Sequence, residues 1–217
     1  MKRIASASLT LLVYTLAFIK TELGATRPQS RDQQSCPDIT ETKGEYINVS
    51  YGFSILIPND LKGVWNSARC VAGKDGCVCM SDHGRIIPLA TDTNDSDHWI
   101  EAYAGFATDV DNPSPENEGD KHLGWIRERS RGGSVSILKR SNVVLGGLRG
   151  KRAVVRYYDK ESKRVMVEDF VELLRGRKEV EVEYSLYLRA PERAYARDRT
   201  VFETILHSFA LKKCDDC

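Results

Sequence analysis

Apolar side chains recur at every second position in Phe53-Ser54-Ile55-Leu56-Ile57, the period of a β-strand with one buried face. Phe53, Ile55 and Ile57 fall on that face, and Ser54, Leu56 and Pro58 on the other. Gly52 suits a positive φ or a close backbone approach, and Pro58, which lacks an N–H, closes the strand. With its flanks from Glu45, this stretch opens the folded domain. Residues 83–89 read as another brief strand. Residues 99–107 set Trp99, Glu101, Tyr103 and Gly105 against Ile100, Ala102, Ala104 and Phe106.

The period then lengthens. Residues 116–131 start with acids and end with Arg127, Arg129 and Arg131, the polarity that complements a helix dipole. Leu123 and Ile126 mark the packing side, and Gly132-Gly133 stops the helix. Four strands follow, over residues 135–144, 149–158, 164–174 and 179–188. The last two join through Arg175-Gly176-Arg177-Lys178, a hairpin turn with glycine where φ must be positive. Counting back from it puts Val167, Val171 and Leu173 on one face with Val180, Val182 and Leu186. Pro191-Glu192 opens a second helix whose stripe is Val201, Phe202, Ile205, Leu206 and Phe209. This order predicts an α+β fold: a twisted antiparallel β-sheet with two packing helices, one on each face or both on one.

The N-terminus has a different logic. Met1-Lys2-Arg3 is a basic head, Ile4 to Ile19 carries no charge, and Ala25 is a small residue ahead of a cleavage point, the layout of a secretory signal peptide. Sixteen uncharged residues, several of them Ser or Thr, fall short of the roughly 20 that a membrane span needs. The expected organisation is therefore a signal over residues 1–25, a polar leader over 26–44, and one domain over 45–217, with no transmembrane span in the mature chain. Cleavage removes Lys2, Arg3, Lys20 and Glu22 from 32 basic and 31 acidic residues, leaving a formal charge near −1. That balance gives no general pull on nucleic acid or anionic lipid.

Export changes the meaning of the cysteines. Cys36, Cys70, Cys77, Cys79, Cys214 and Cys217 all follow the signal, and an even count in an oxidising compartment favours disulfides. A short bridge from Cys70 to Cys77 or Cys79 would span the turn Gly73-Lys74-Asp75-Gly76, and a longer one from Cys36 to Cys214 or Cys217 would tie the ends. Cys77, Cys79, Met80 and His83 offer soft metal ligands, but thiolates must stay reduced to bind, so pairing is preferred and no cofactor is expected. Cys214-Asp215-Asp216-Cys217 has redox spacing without the helix N-terminus that lowers a thiol pKa. Asp92, Asn94, Asp95, Ser96 and Asp97 resemble a calcium loop, yet its sixth and twelfth places hold Asp97 and Tyr103 instead of Gly and Glu. Asn48-Val49-Ser50 and Asn94-Asp95-Ser96 are glycosylation sequons, relevant only in a eukaryotic secretory route. No nucleophile elbow, zincin motif or phosphate loop occurs, and no catalytic residue is assigned. His207 sits in a last helical turn; His83, His98 and His122 read as surface residues.

Charge is segregated along the chain. Residues 91–120 hold nine acids and no Lys or Arg, whereas residues 139–164 hold nine Lys or Arg against Asp159 and Glu161. Two readings compete: a patch for an anionic partner, or internal pairing. With a five-residue loop at 159–163, Arg152 and Arg156 share a face with Glu168 and Glu172, which favours pairing for those two. Lys139, Arg140, Arg149 and Lys151 are the candidates for an anionic partner.

Tyr51-Gly52-Phe53-Ser54-Ile55 with Pro58, Gly150-Lys151-Arg152-Ala153 with Tyr157, Tyr184-Ser185-Leu186 before Ala190-Pro191, and Phe202, Ile205, Ser208 and Phe209 together resemble the PsbP-like fold over about residues 45–211. Residues 68–98 lie outside the resemblance. It implies an extracytoplasmic α+β domain that binds or assembles and leans away from catalysis. The charge layout points to a protein or an anionic envelope component as partner, and export together with the lack of an aromatic-basic recognition motif argues against nucleic acid. The alternative is a small extracytoplasmic hydrolase or a thiol-redox or metal-binding protein.

Overall fold

The structure is a computed structural model that describes residues 39–68, 71–72, 77–78, 81–88, 99–107, 113–177 and 180–212. Its first half is a run of strands: β1 (Ile39–Thr42), β2 (Gly44–Asn48), β3 (Phe53–Ile57), β4 (Leu61–Ala68), the two-residue β5 (Val71–Ala72) and β6 (Cys77–Val78), β7 (Ser81–Pro88) and β8 (Trp99–Phe106). Helix α1 (Pro115–Ser130) leads into four long strands, β9 (Val135–Leu145), β10 (Leu148–Asp159), β11 (Arg164–Arg177) and β12 (Val180–Pro191). Helix α2 (Glu192–Ser208) and β13 (Ala210–Leu211) follow.

Eight strands form one antiparallel sheet in the order β1-β4-β7-β8-β12-β11-β10-β9, and a smaller sheet runs β13-β3-β2. β12 pairs β11 through Val171↔Leu186 and β8 through Leu186↔Ala102, so alternate residues of all three strands share a face. On one face Val171, Leu173, Tyr184, Leu186 and Ala102 meet Phe202, Ile205 and Leu206 of α2 and Phe53 and Ile55 of β3. On the opposite face Ala153, Val155, Tyr157, Met166 and Phe170 meet Leu123 and Ile126 of α1. The sheet is thus α+β with one helix on each side, each docked by a stripe at helical spacing.

Local chemistry explains the elements. The Ser114 hydroxyl caps α1 by accepting from the Asn117 N–H, Pro115 takes the first turn, and Glu116 and Glu118 face the positive dipole end. Arg131 at φ 45° and Gly132 at φ 78° end the helix in left-handed backbone. Gly84 answers a different need: a Cβ there would lie 2.2 Å from the Trp65 ring, which covers the β7 backbone directly.

Three details depart from the sequence expectation. β1 pairs with β4 from Ile39, inside the stretch expected to be polar leader. Gly176 pairs with Glu181 within the sheet and has no positive φ, so it is not the left-handed turn glycine expected of it; residues 178–179 lie outside the described ones. The β10–β11 hairpin pairs Asp159 with Arg164 and turns over four residues, with Lys163 in left-handed backbone. That register puts Arg152 on the face of Asp169 and away from Glu168 and Glu172; one residue of loop length decides the face.

Candidate functional site

Between the N-terminal half of α1 and the β9–β10 edge lies a cleft of about 320 Å³. Gly119 and Leu123 of α1, Ala153 of β10 and Phe170 of β11 give it an apolar floor; Glu116, Asp120, Arg140 and Lys151 line its charged rim. Lys151 Nζ donates to Glu116 Oε1 at 2.6 Å and to Asn142 Oδ1 at 2.7 Å, and Arg140 Nη2 lies 3.5 Å from Asp120 Oδ1. The Lys151 contact holds the Glu116 carboxyl below its ordinary range. All four charged side chains are substantially exposed, and pairs of this kind contribute at most ~1 kcal/mol each. A ligand carboxylate or phosphate can therefore replace Glu116 or Asp120 at little cost.

Of the four basic candidates, Arg140, Arg149 and Lys151 share the α1 side of the sheet, through Arg140↔Ala153, Asn142↔Lys151 and Val144↔Arg149. Lys139, opposite Val154, faces the α2 side. Arg152 and Arg156 are paired internally, with other partners than expected. The Arg152 guanidinium donates to both oxygens of buried Asp169 at 2.7 Å and to Glu203 at 2.7 and 3.1 Å; Arg156 donates to Glu192 at 2.8 Å.

Beneath the cleft, His122 corrects the surface reading. It is 3% exposed, one turn after Glu118 on the packing side of α1. Its ring stacks on Phe170 at 4.1 Å between centroids and meets Tyr187 edge-on. Nε2–H donates to Glu168 Oε1 at 2.6 Å, and Nδ1–H donates to Glu172 Oε1 at 3.1 Å. Burial favours the neutral imidazole, but the two carboxylates outweigh it and lift the pKa to about 9. Burial likewise pushes Glu168 up, and His122, Arg129 and the Tyr157 hydroxyl overcome it, bringing that carboxyl to about 2. Glu172 ends above its ordinary value because burial wins over the His122 contact, and its Oε2 has no hydrogen-bond partner among the described residues. Burial and then the charges of Glu172 and Glu118 raise Glu183 to about 8.

With both ring nitrogens committed, His122 has no lone pair to accept a proton near neutrality. It acts as a positive bridge between two buried carboxylates. The signal for it was present in the sequence: His122 falls between Gly119, Leu123 and Ile126 on one helical stripe, and Glu168 and Glu172 alternate with Met166 and Phe170 on one strand face.

Other sequence candidates divide as follows. Cys36, Cys70, Cys79, Cys214 and Cys217 lie outside the described residues, and for Cys77 only the backbone pairing with Ala72 is described. The acidic stretch 92–97 and the signal segment are also outside them. His83 lies 3.3 Å from Glu101, which Arg85 also contacts at 2.7 Å. Among the described residues no three His, Cys, Asp or Glu side chains converge as a metal site, and no helix is long and apolar enough to cross a membrane.

The chain is an antiparallel α+β sheet protein with a helix on each face. No protein-family model and no curated protein matches it. Among solved structures it is similar to the cyanobacterial PsbP (CyanoP) of Synechocystis sp. PCC 6803, at TM-score 0.47 and 13% identity, over 82% of this chain and 95% of that one. LpqN of Mycobacterium tuberculosis, involved in cell envelope biogenesis, gives TM-score 0.47 and 12% identity over 82% and 93%. The T6SS immunity protein TplEi of Pseudomonas aeruginosa, in complex with an "L" peptide, gives 0.41 and 10% over 81% and 93%. The fold class stands on the sheet and helices themselves.

Proposed function

We propose that the protein is an exported, disulfide-stabilised binding or assembly factor that holds an anionic partner at the α1–β9–β10 cleft. One observation carries this reading: Arg140 and Lys151 flank an apolar floor, and their ion-pair partners are exposed, exchangeable carboxylates. Arg149 extends the same positive face with no ion-pair partner among the described residues. The leader and the six cysteines of the sequence support export and cross-linking.

The test is retention of the full chain on immobilised polyglutamate at low and at physiological salt. The wild type is retained and elutes as salt rises. The double variant Arg140→Glu, Lys151→Glu flows through with an unchanged unfolding midpoint. Equal retention of the two proteins would overturn the reading.

A further inference from the structure

The large sheet ends differently at its two edges. β1 has four residues, whereas β9 has eleven, about 35 Å at ~3.3 Å per residue, and no described strand pairs with its outer side. Natural edges are blunted by shortness, by bulges or by charge. β9 has a bulge, where its pairing with Val154 and Val155 shifts, and carries Lys139 and Arg140 beside it. Protection alone does not account for the rest of the strand. Ile137, Leu138 and Val144 stand 42%, 56% and 66% exposed, a third of the large exposed hydrophobics among the described residues. The strand has no acidic residue, and Lys139 has no ion-pair partner among the described residues.

The register sets what a neighbour would meet. Ile137 lies opposite Val155, and Arg140, Asn142 and Val144 lie opposite Ala153, Lys151 and Arg149, all on the α1 side. Lys139 faces the other side, so two adjacent cations project to opposite faces with apolar side chains beyond them. We infer that β9 accepts an extended acidic segment of a partner protein as a ninth strand, with neighbouring carboxylates beside Lys139 and Arg140 and apolar residues beside Ile137 and Val144. In such pairing, main-chain bonds give affinity and alternate side chains give specificity. The inference rests on the anionic-partner reading of this face and adds backbone pairing to it. Charge complementarity selects this occupant over a second copy. Two β9 strands paired antiparallel along their whole length would set Arg140 against Arg140 and Lys139 beside it, and like charges directly opposite are unfavourable.

Fluorescence anisotropy of the full chain with a labelled, end-blocked decapeptide tests it, the peptide carrying a Glu-Glu pair flanked by alternating Val and Thr. Two further peptides are N-methylated on alternate residues, one set for each edge. Strand addition uses the amides of one edge only, so one methylated peptide loses binding by ~10-fold or more and the other retains it. Lys139→Glu with Arg140→Glu weakens the parent peptide by ~10-fold or more, with an unchanged unfolding midpoint. If both methylated peptides bind like the parent while Arg140→Glu, Lys151→Glu abolishes binding, the anion-binding reading survives and strand addition falls. If the decapeptide does not bind but polyglutamate does, strand addition falls in the same way; if neither binds, both fall. A solution dimer that the Lys139→Glu, Arg140→Glu change alters would assign the edge to a second copy and overturn the inference.

Discussion

The two faces of the large sheet bury their helices by opposite means. Under α2 the contact is mainly apolar: Phe53, Tyr184, Phe202, Ile205 and Phe209 interlock, and beside them Arg152 ties buried Asp169 to Glu203 of the helix. Under α1 a small apolar group surrounds His122, Glu168 and Glu172, nearly removed from water. Apolar burial is indifferent to pH, whereas a buried ionic bridge holds only while its members keep their charges. One helix is held mainly by volume, with ion pairs of permanently charged arginines beside it, and the other by the charge state of a buried histidine.

The largest effects should break this contrast directly. Phe202→Ala should cost ~3–5 kcal/mol by denaturant unfolding at every pH, through cavity formation. His122→Ala should cost a similar ~3–5 kcal/mol near pH 6, because it leaves Glu168 and Glu172 as buried carboxylates without their bridge. The two variants part company on the alkaline side. With its pKa raised from 6.5 to about 9, His122 contributes fully below pH 6.5, and that contribution is lost as pH rises through 9. The gap between His122→Ala and wild type should therefore narrow by pH 9.5, and a gap that stays constant would refute the charge-state account. Glu168, lowered to about 2, contributes above pH 4.5 and loses that contribution as pH falls towards 2.

Smaller changes sharpen the comparison. Gly84→Ala pushes a methyl into the Trp65 ring on the α2 side and should cost ~1–3 kcal/mol without pH dependence, read from the unfolding midpoint. Glu183, raised to about 8, favours folding below pH 4.5 and loses that contribution as pH climbs to 8. Glu183→Gln should therefore stabilise the chain by on the order of 1 kcal/mol at pH 8 and be nearly silent at pH 4.5, which a pair of melts at those pH values would check. The cleft variant Arg140→Glu, Lys151→Glu should move stability by no more than ~0.5 kcal/mol while abolishing retention on polyglutamate.

Most of the architecture was legible because alternation and capping are local. The strands from Val135 to Pro191, the α1 cap and arginine end, and the α2 stripe all follow from neighbours within a few residues. Hairpin register is less local. Lys163 takes a left-handed turn position without glycine, so the loop at 160–163 was one residue shorter than expected, and Arg152 met Asp169. The His122 bridge needs β11 and α1 to meet across 46 to 50 residues, which no local pattern states. The cleft was half legible: the run of basic residues marked Arg140, Arg149 and Lys151, while strand alternation next to Arg140 sets Lys139 on the other side.

The small sheet has a consequence for the order of events in folding. β3 is closed by β13, Phe53 stacks with Phe209, and the Lys212 N–H reaches back to the Gly52 carbonyl. A ribosome that has made the first strand of this core must make nearly the whole chain before that strand can be covered. Until then Phe53 and Ile55 remain available to a holding chaperone, and a truncation ahead of Glu192, which removes α2 and Phe209 together with β13, should leave them so permanently.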